Sequence, residues 1–435
     1  MPTLSRFFFL RVAICSLAIA ALAFPLSAQA AAKDETSRER NIDELKRFSQ
    51  VLNIVERYYV NEAERSKLID GALKGMLQGL DPHSTLLNKE EYKEMRETTS
   101  GEFFGVGIEI TLDGNQVTVV TPIEDTPAYR AGVKPGDVIL SIDGQTTLDM
   151  SLQDVVSRIR GPKGTEVEII FMQKEAKAPT TLKIKRDAIP LISVKTRELE
   201  EGYYWVRLTR FSERTTTELT DALKDMTKDG KLKGIVLDLR NNPGGLLDQA
   251  VKVSDLFLKE GMIVSMRGRD SNSTQEFHAT DQAADVTVPL VVLVNAGSAS
   301  AAEIVAGALG DQKRAMLLGE RTFGKGSVQH IIAMADGSGV KLTVALYYTP
   351  SGRSIQAEGI EPDIVAPFEP PREDKSPSFS LREQDLRRHL EVNTQDDEKK
   401  DAKKEQGAKE FLDRDNQLRM ALQFVKSLPK LRQIN

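Results

Sequence analysis

Val288-Pro289-Leu290-Val291-Val292-Leu293-Val294-Asn295-Ala296-Gly297-Ser298-Ala299-Ser300-Ala301-Ala302-Glu303 runs from an unbroken apolar segment, through a turn of small residues, into a helix start. A near-continuous apolar run of strand length is what a strand covered on both faces requires. Gly234-Ile235-Val236-Leu237-Asp238-Leu239 has the same character. Helical stretches follow the two runs, Leu246 to Leu258 and Ala301 to Leu309. Apolar strands alternating with helices, from Tyr203 to about Val365, predict an α/β layered domain.

Upstream of it the apolar period is two. Gly107-Ile108-Glu109-Ile110 and Gln116-Val117-Thr118-Val119-Val120 alternate as strands around Asp113-Gly114-Asn115, a hairpin signal. A short helix from Pro127 to Val133, the turn Pro135-Gly136-Asp137 and the strand Val138 to Ile142 follow. Next come an amphipathic helix, Ser151 to Arg160, and strands at Val167 to Met172 and Thr181 to Lys185. Together they predict a compact β-rich module. Further upstream, Leu45, Phe48, Val51, Leu52, Val55 and Tyr59 recur at three- and four-residue steps along one helix face. Gly71 to Leu80 reads as a second helix, stopped by Asp81-Pro82.

The first thirty residues carry Arg6 and Arg11 ahead of an Ala-rich apolar stretch, Val12 to Leu26, which leads to Ala28-Gln29-Ala30. That is a secretory signal with a small-x-small cleavage site, the competing reading being an N-terminal membrane anchor. Its removal takes two arginines, so the net charge moves from −5 to −7, and takes Cys15, the one cysteine. The expected mature chain therefore has neither disulfides nor a thiolate nucleophile. A mildly acidic chain without a basic stripe argues against nucleic acid as a partner. Past Pro370 the composition turns charge-rich, and Asp396 to Glu405 is almost wholly charged. The terminal stripe of Leu418, Ala421, Leu422, Val425 and Leu428 suits either docking on the chain's own core or a subunit contact.

Two segments carry chemistry. A serine between a buried strand and a helix start, as Ser300 is, exposes its hydroxyl beside the N–H groups of the first helical turn, which can hold an oxyanion. By itself the segment reads more readily as a capping box between Ser300 and Glu303. The second is Gly319-Glu320-Arg321-Thr322-Phe323-Gly324-Lys325-Gly326-Ser327, nearly a phosphate-binding loop. Gly326 stands where such a loop needs its magnesium-ligating hydroxyl, so no nucleotide is expected. Lys325 instead suits a general base. At pH 7 an ordinary lysine is neutral in about one molecule in 2,500, and burial among glycines and apolar groups raises that fraction. None of His83, His278, His330 and His389 has a comparable setting.

The β-rich module resembles a PDZ domain from Gly101 to Arg186. The resemblance rests on Phe104-Gly105-Val106-Gly107-Ile108 and on the run from Thr126 to Asp137. It implies that the Phe104–Ile108 loop receives a terminal carboxylate while the partner's tail adds as a strand. Arg158 or Arg160 either reads that carboxylate, bridges to the catalytic domain or is simply solvated. The chain as a whole is similar to the C-terminal processing peptidases, the tail-specific proteases of serine peptidase family S41. The marks are Asp238-Leu239-Arg240-Asn241-Asn242-Pro243-Gly244-Gly245, Ser298-Ala299-Ser300-Ala301-Ala302-Glu303 and Thr322-Phe323-Gly324-Lys325-Gly326-Ser327-Val328-Gln329.

That resemblance implies a crotonase/Clp-like α/β protease core, with Ser300 as nucleophile, Lys325 as base and Gln329 orienting it. The Ala301 N–H and the N–H of Gly244 or Gly245 would form the oxyanion hole, and no metal or cofactor takes part. The expected order is a signal peptide (1–30), a helical region (31–100), the PDZ module (101–186), the peptidase core (187–370) and a charged linker with a terminal helix (371–435). The enzyme would cleave proteins with accessible C-termini in the periplasm, cell-wall hydrolases among them. The module would gate the site and a lipoprotein adaptor would assist. A homo-oligomer is expected, built from Phe48, Val51, Leu52 and Val55 together with Leu418, Leu422 and Val425.

Overall fold

A computed structural model describes residues 42–431 apart from 115, 149, 174–177, 229, 271–273, 282–285 and 371–401. The expected signal segment and most of the charge-rich stretch lie outside the described residues. No helix among the described residues is long and apolar enough to cross a membrane. The chain divides into two compact units, Met1–Leu86 and Leu87–Asn435.

In the first unit, residues 42–58 form one helix and Arg65–Gln78 a second. The second begins six residues before the stretch its apolar pattern marks out, because nothing in Arg65–Asp70 breaks a helix once Glu64 supplies an extended entry. Asp81 then ends this region in a tight turn. Its Oδ1 accepts the His83 and Ser84 N–H groups, and Oδ2 accepts the Ser84 hydroxyl at 2.7 Å. Leu45, Phe48 and Val51 are 68%, 48% and 54% exposed while Leu52 and Val55 are half-buried, so part of this apolar face stays uncovered among the described residues.

The larger unit is built on a six-stranded sheet in the order Val194–Glu200, Tyr203–Leu208, Gly234–Asp238, Leu290–Val294, Met316–Gly319 and Ile364–Val365. All its pairings are parallel except the first. Alternate residues of a strand point to opposite faces, and the two faces bury different partners. Ile235, Leu237, Leu290, Val292 and Val294 pack with Leu219, Val253, Ala302 and Val305 from the helices Thr215–Thr227, Leu247–Asp255 and Ala301–Asp311. Val236, Val291, Leu293 and Leu318 face Leu418, Ala421, Leu422 and Val425 of the terminal helix Asn416–Leu431. The terminal stripe is therefore spent on the chain's own core. With Leu418, Leu422 and Val425 at most 1% exposed, these residues offer no subunit surface, contrary to the expectation from sequence. The sheet's second face would otherwise lie bare, and about 25 cal/mol per Å² favours covering it.

The PDZ module has the strand order Ile108–Asp113, Gln116–Pro122, Val138–Ile142, Glu166–Met172 and Thr180–Lys185, which leaves Ile108–Asp113 with one open edge. Its helix, Leu152–Ile159, is closed at the start by a capping box between Ser151 and Asp154. The chain enters and leaves through one antiparallel ribbon, Glu102–Gly105 against Asp187–Pro190. Gly107 has φ +81° and its Cα lies against Thr126, where a Cβ would collide, so the proposed carboxylate loop needs glycine there.

Candidate active site

The turn from Asn295 to Ala299 is fixed mainly by side-chain to backbone bonds. Ser298 Oγ donates to the Leu239 carbonyl at 2.8 Å and accepts from the Asn295 N–H at 3.0 Å. Fully buried and committed, Ser298 has no access to a substrate. Asn241 and Asn295 exchange two hydrogen bonds, and the Ala299 N–H donates to the Asn242 carbonyl. The next residue, Ser300, is partly exposed and sits at φ 54°, ψ −113°, outside the regions an L-residue ordinarily occupies. Such strain survives only where the surroundings dictate it, and here the helix that follows is almost wholly buried.

Glu303 is the strongest constraint. Its carboxylate is completely buried and accepts four hydrogen bonds. Oε1 takes the Thr322 hydroxyl at 2.5 Å and the Gly324 N–H at 2.7 Å. Oε2 takes the Ser300 and the Lys325 N–H groups, both at 2.8 Å. One oxygen thus holds the backbones of the two residues that the sequence marks for chemistry. In the sequence Glu303 reads as a helix cap and as the end of the Ser298–Glu303 motif. A more telling signal was available, because it is the lone acid in the run Ala299–Gly310, and a charge inside so apolar a helix must find partners.

Lys325 is half-buried, and burial is the main cause that holds its amine below the ordinary lysine range, helped by the positive charge of Lys341 and opposed by Glu303. Among the described residues its amine and the Ser300 hydroxyl make no hydrogen bond to each other. Gln329 is not bonded to Lys325 either. Its amide donates to the Ser327 carbonyl at 3.1 Å, to Ser327 Oγ at 2.9 Å and weakly to Thr343. A register shift between Val328 and Gln329 falls at this point of the strand Ser327–Ala333.

Gly244 lies against Ser300. A Cβ there would stand 2.8 Å from Ser300 Cβ and 2.7 Å from the Ala299 carbonyl, and its φ is +98°. Its N–H is spent on Asn242 Oδ1 at 2.9 Å. The N–H groups of Gly245 and Ala301 donate to no acceptor among the described residues, which distinguishes the two glycines that the sequence left level.

In the PDZ module, Arg160 is already engaged. Its guanidinium donates to Glu97 at 3.2 Å and stacks over the Phe103 ring at 4.6 Å. Glu97 belongs to the helix Lys89–Ser100, whose end is tied to the core by the Glu213 N–H bond to the Thr99 carbonyl. Arg158 is exposed, and its carbonyl supports Arg186.

A buried strand, a strained serine at a helix start and a half-buried lysine together describe a hydrolase of the serine peptidase kind. Residues 202–366 match peptidase family S41, residues 118–171 a PDZ domain and residues 18–91 the activating protease CtpB N-terminal domain. The chain is 45% identical over 386 residues to the carboxy-terminal-processing protease of Bartonella bacilliformis, covering 87% of each. It is 37% identical over 362 residues to carboxy-terminal processing protease CtpA of Bacillus subtilis, covering 83% of this chain and 77% of that one. The solved photosystem II D1 C-terminal processing protease matches with 34% identity and a TM-score of 0.43, over 74% of this chain and 92% of that one. The chain belongs to the carboxy-terminal-processing serine proteases of family S41.

Proposed function

We propose that Ser300 is the nucleophile and Lys325 the base that serves it. The observation that carries this is the shared Glu303 oxygen, which fixes both backbones on one buried carboxylate. Neutral Lys325 removes the proton from Ser300 as its Oγ attacks the scissile carbonyl carbon. The Ala301 and Gly245 N–H groups receive the oxyanion, each such donor being worth about 3–4 kcal/mol in comparable sites. Collapse of the adduct breaks the C–N bond, and the lysine ammonium returns its proton to the leaving amine. Lys325 then takes a proton from water as that water attacks the acyl carbon, and the ammonium returns the proton to Ser300 Oγ as the ester bond breaks. The missing hydrogen bond between the Ser300 and Lys325 side chains, with Gln329 bonded to Ser327, favours a resting site that substrate completes.

The open edge of Ile108–Asp113 beside Leu152–Ile159 suits capture of an extended protein tail by strand addition. The Arg160–Glu97 contact gives the module a route by which capture is felt at the core. The small-x-small pattern at Ala28-Gln29-Ala30 supports a periplasmic enzyme acting on envelope proteins such as cell-wall hydrolases, with a lipoprotein adaptor as partner. The uncovered face of helix 42–58 favours a homo-oligomer built from the N-terminal unit.

Labelling with a fluorophosphonate probe, followed by peptide mapping, tests the assignment. The adduct is expected on Ser300 and nowhere else. An adduct on another serine, or none while cleavage continues, overturns it.

A further inference from the structure

Arg240 sits in the motif that precedes Gly244 and Gly245, only 7% exposed, and uses every donor it has. A guanidinium carries five N–H groups. Nε reaches Asp238 Oδ1 at 2.9 Å and Nη2 reaches Asp238 Oδ2 at 2.7 Å. The others go to the far end of the chain: Nη1 to Asp415 Oδ1 at 3.0 Å and Gln417 Oε1 at 2.8 Å, and Nη2 to Asp415 Oδ2 at 2.7 Å. Asp415 Oδ1 also accepts the Leu418 N–H, so the carboxylate that grips Arg240 also caps the terminal helix.

From Arg240 the path to the site is short. Asn241, at φ 55°, is bonded to Asn295, and Asn242 holds the Ala299 and Gly244 N–H groups. Apolar docking through Leu422 and Val425 already fixes the terminal helix to the sheet, so its attachment does not need a buried ion pair. Such pairs add little net stability over apolar packing, yet they fix geometry where both partners are satisfied.

We propose that Asp415, seconded by Gln417, is a positioning residue for the loop from Asn241 to Gly245, which makes the C-terminal helices a part of the catalytic assembly. The consequence for turnover rests on the reading of Gly245 as an oxyanion donor; the tether itself does not.

The test uses the full chain with Asp415→Ala and Asp415→Asn, the second keeping an oxygen to cap the helix should the first fold poorly. Leu422→Ala, which weakens docking of the same helix without touching Arg240, is the control. Both Asp415 variants are expected to speed amide exchange in the peptide 239–246 by about tenfold or more. They should also lower kcat by on the order of 10–100-fold at little-changed KM. The control should do neither. Exchange unmoved in the Asp415 variants, or moved equally by Leu422→Ala, overturns the proposal. Faster exchange with full turnover upholds the tether and removes Gly245 from the oxyanion assignment.

Discussion

The turn before Ser300 and the edge strand Ile108–Asp113 solve opposite problems. In the turn and the loops packed on it, most polar groups are already answered from within the chain: Ser298 by Leu239, Asn241 by Asn295, and four donors by Glu303. Among the described residues the N–H groups of Gly245 and Ala301 are left over, and they are the ones proposed above for the oxyanion. The edge strand has a whole side of backbone unanswered, next to a helix rather than another strand. On the proposed reading, chemistry is served by a site with almost no freedom, and recognition by one with a strand missing.

The sharpest way to break that contrast is to remove the reactive groups. Ser300→Ala and Lys325→Ala should each lower peptide cleavage by roughly 10⁴-fold or more with unchanged thermal melting. Near-normal turnover in Ser300→Ala would refute the assignment, and buried Ser298 could not easily replace it.

Glu303→Gln should come next. An amide in place of the carboxylate turns two hydrogens toward donors, which costs on the order of 3 kcal/mol of stability and misplaces both backbones. Turnover should fall by about 100-fold even well below the melting temperature. A variant that melts early but cleaves normally when folded would reduce Glu303 to a purely structural group.

Replacing residues 106–186 by a short flexible linker, with the ribbon kept, probes the recognition half. Cleavage of an unstructured peptide should persist or rise, while preference for a free C-terminus should disappear, a change of about tenfold between blocked and free peptides. A stable but wholly inactive product would make the module an activator, and the gate would be wrong.

The smallest effect concerns pH. If Lys325 is the base it must be neutral to act, and its pKa is depressed, so activity should rise with pH along a limb lying below the ordinary lysine range. Lys341 contributes to that depression. Lys341→Gln removes a positive neighbour, raises the Lys325 pKa and should move the limb to higher pH. A limb that stays put would show another group to be the base.

Local sequence carried much of this. The apolar runs at Leu290–Val294 and Gly234–Asp238 announce strands covered on both faces, and the hairpin around Gly114 announces itself by turn chemistry. Period and turn residues act within a few positions, and such features are read readily. The Arg240–Asp415 clamp spans 175 residues, and no local pattern encodes it. The terminal stripe revealed that something apolar would cover it; only the bare second face of the sheet decided what. Gly244 and Gly245 were level for a similar reason, since the choice rests on a hydrogen bond from one of them to Asn242.

The ribbon of Glu102–Gly105 against Asp187–Pro190 has a consequence for insertions. Paired strands bring the points of departure and return within about 5 Å of each other, so the host fold never senses the length of what is inserted between them. A change in the length of the module therefore leaves the register of the ribbon unaltered.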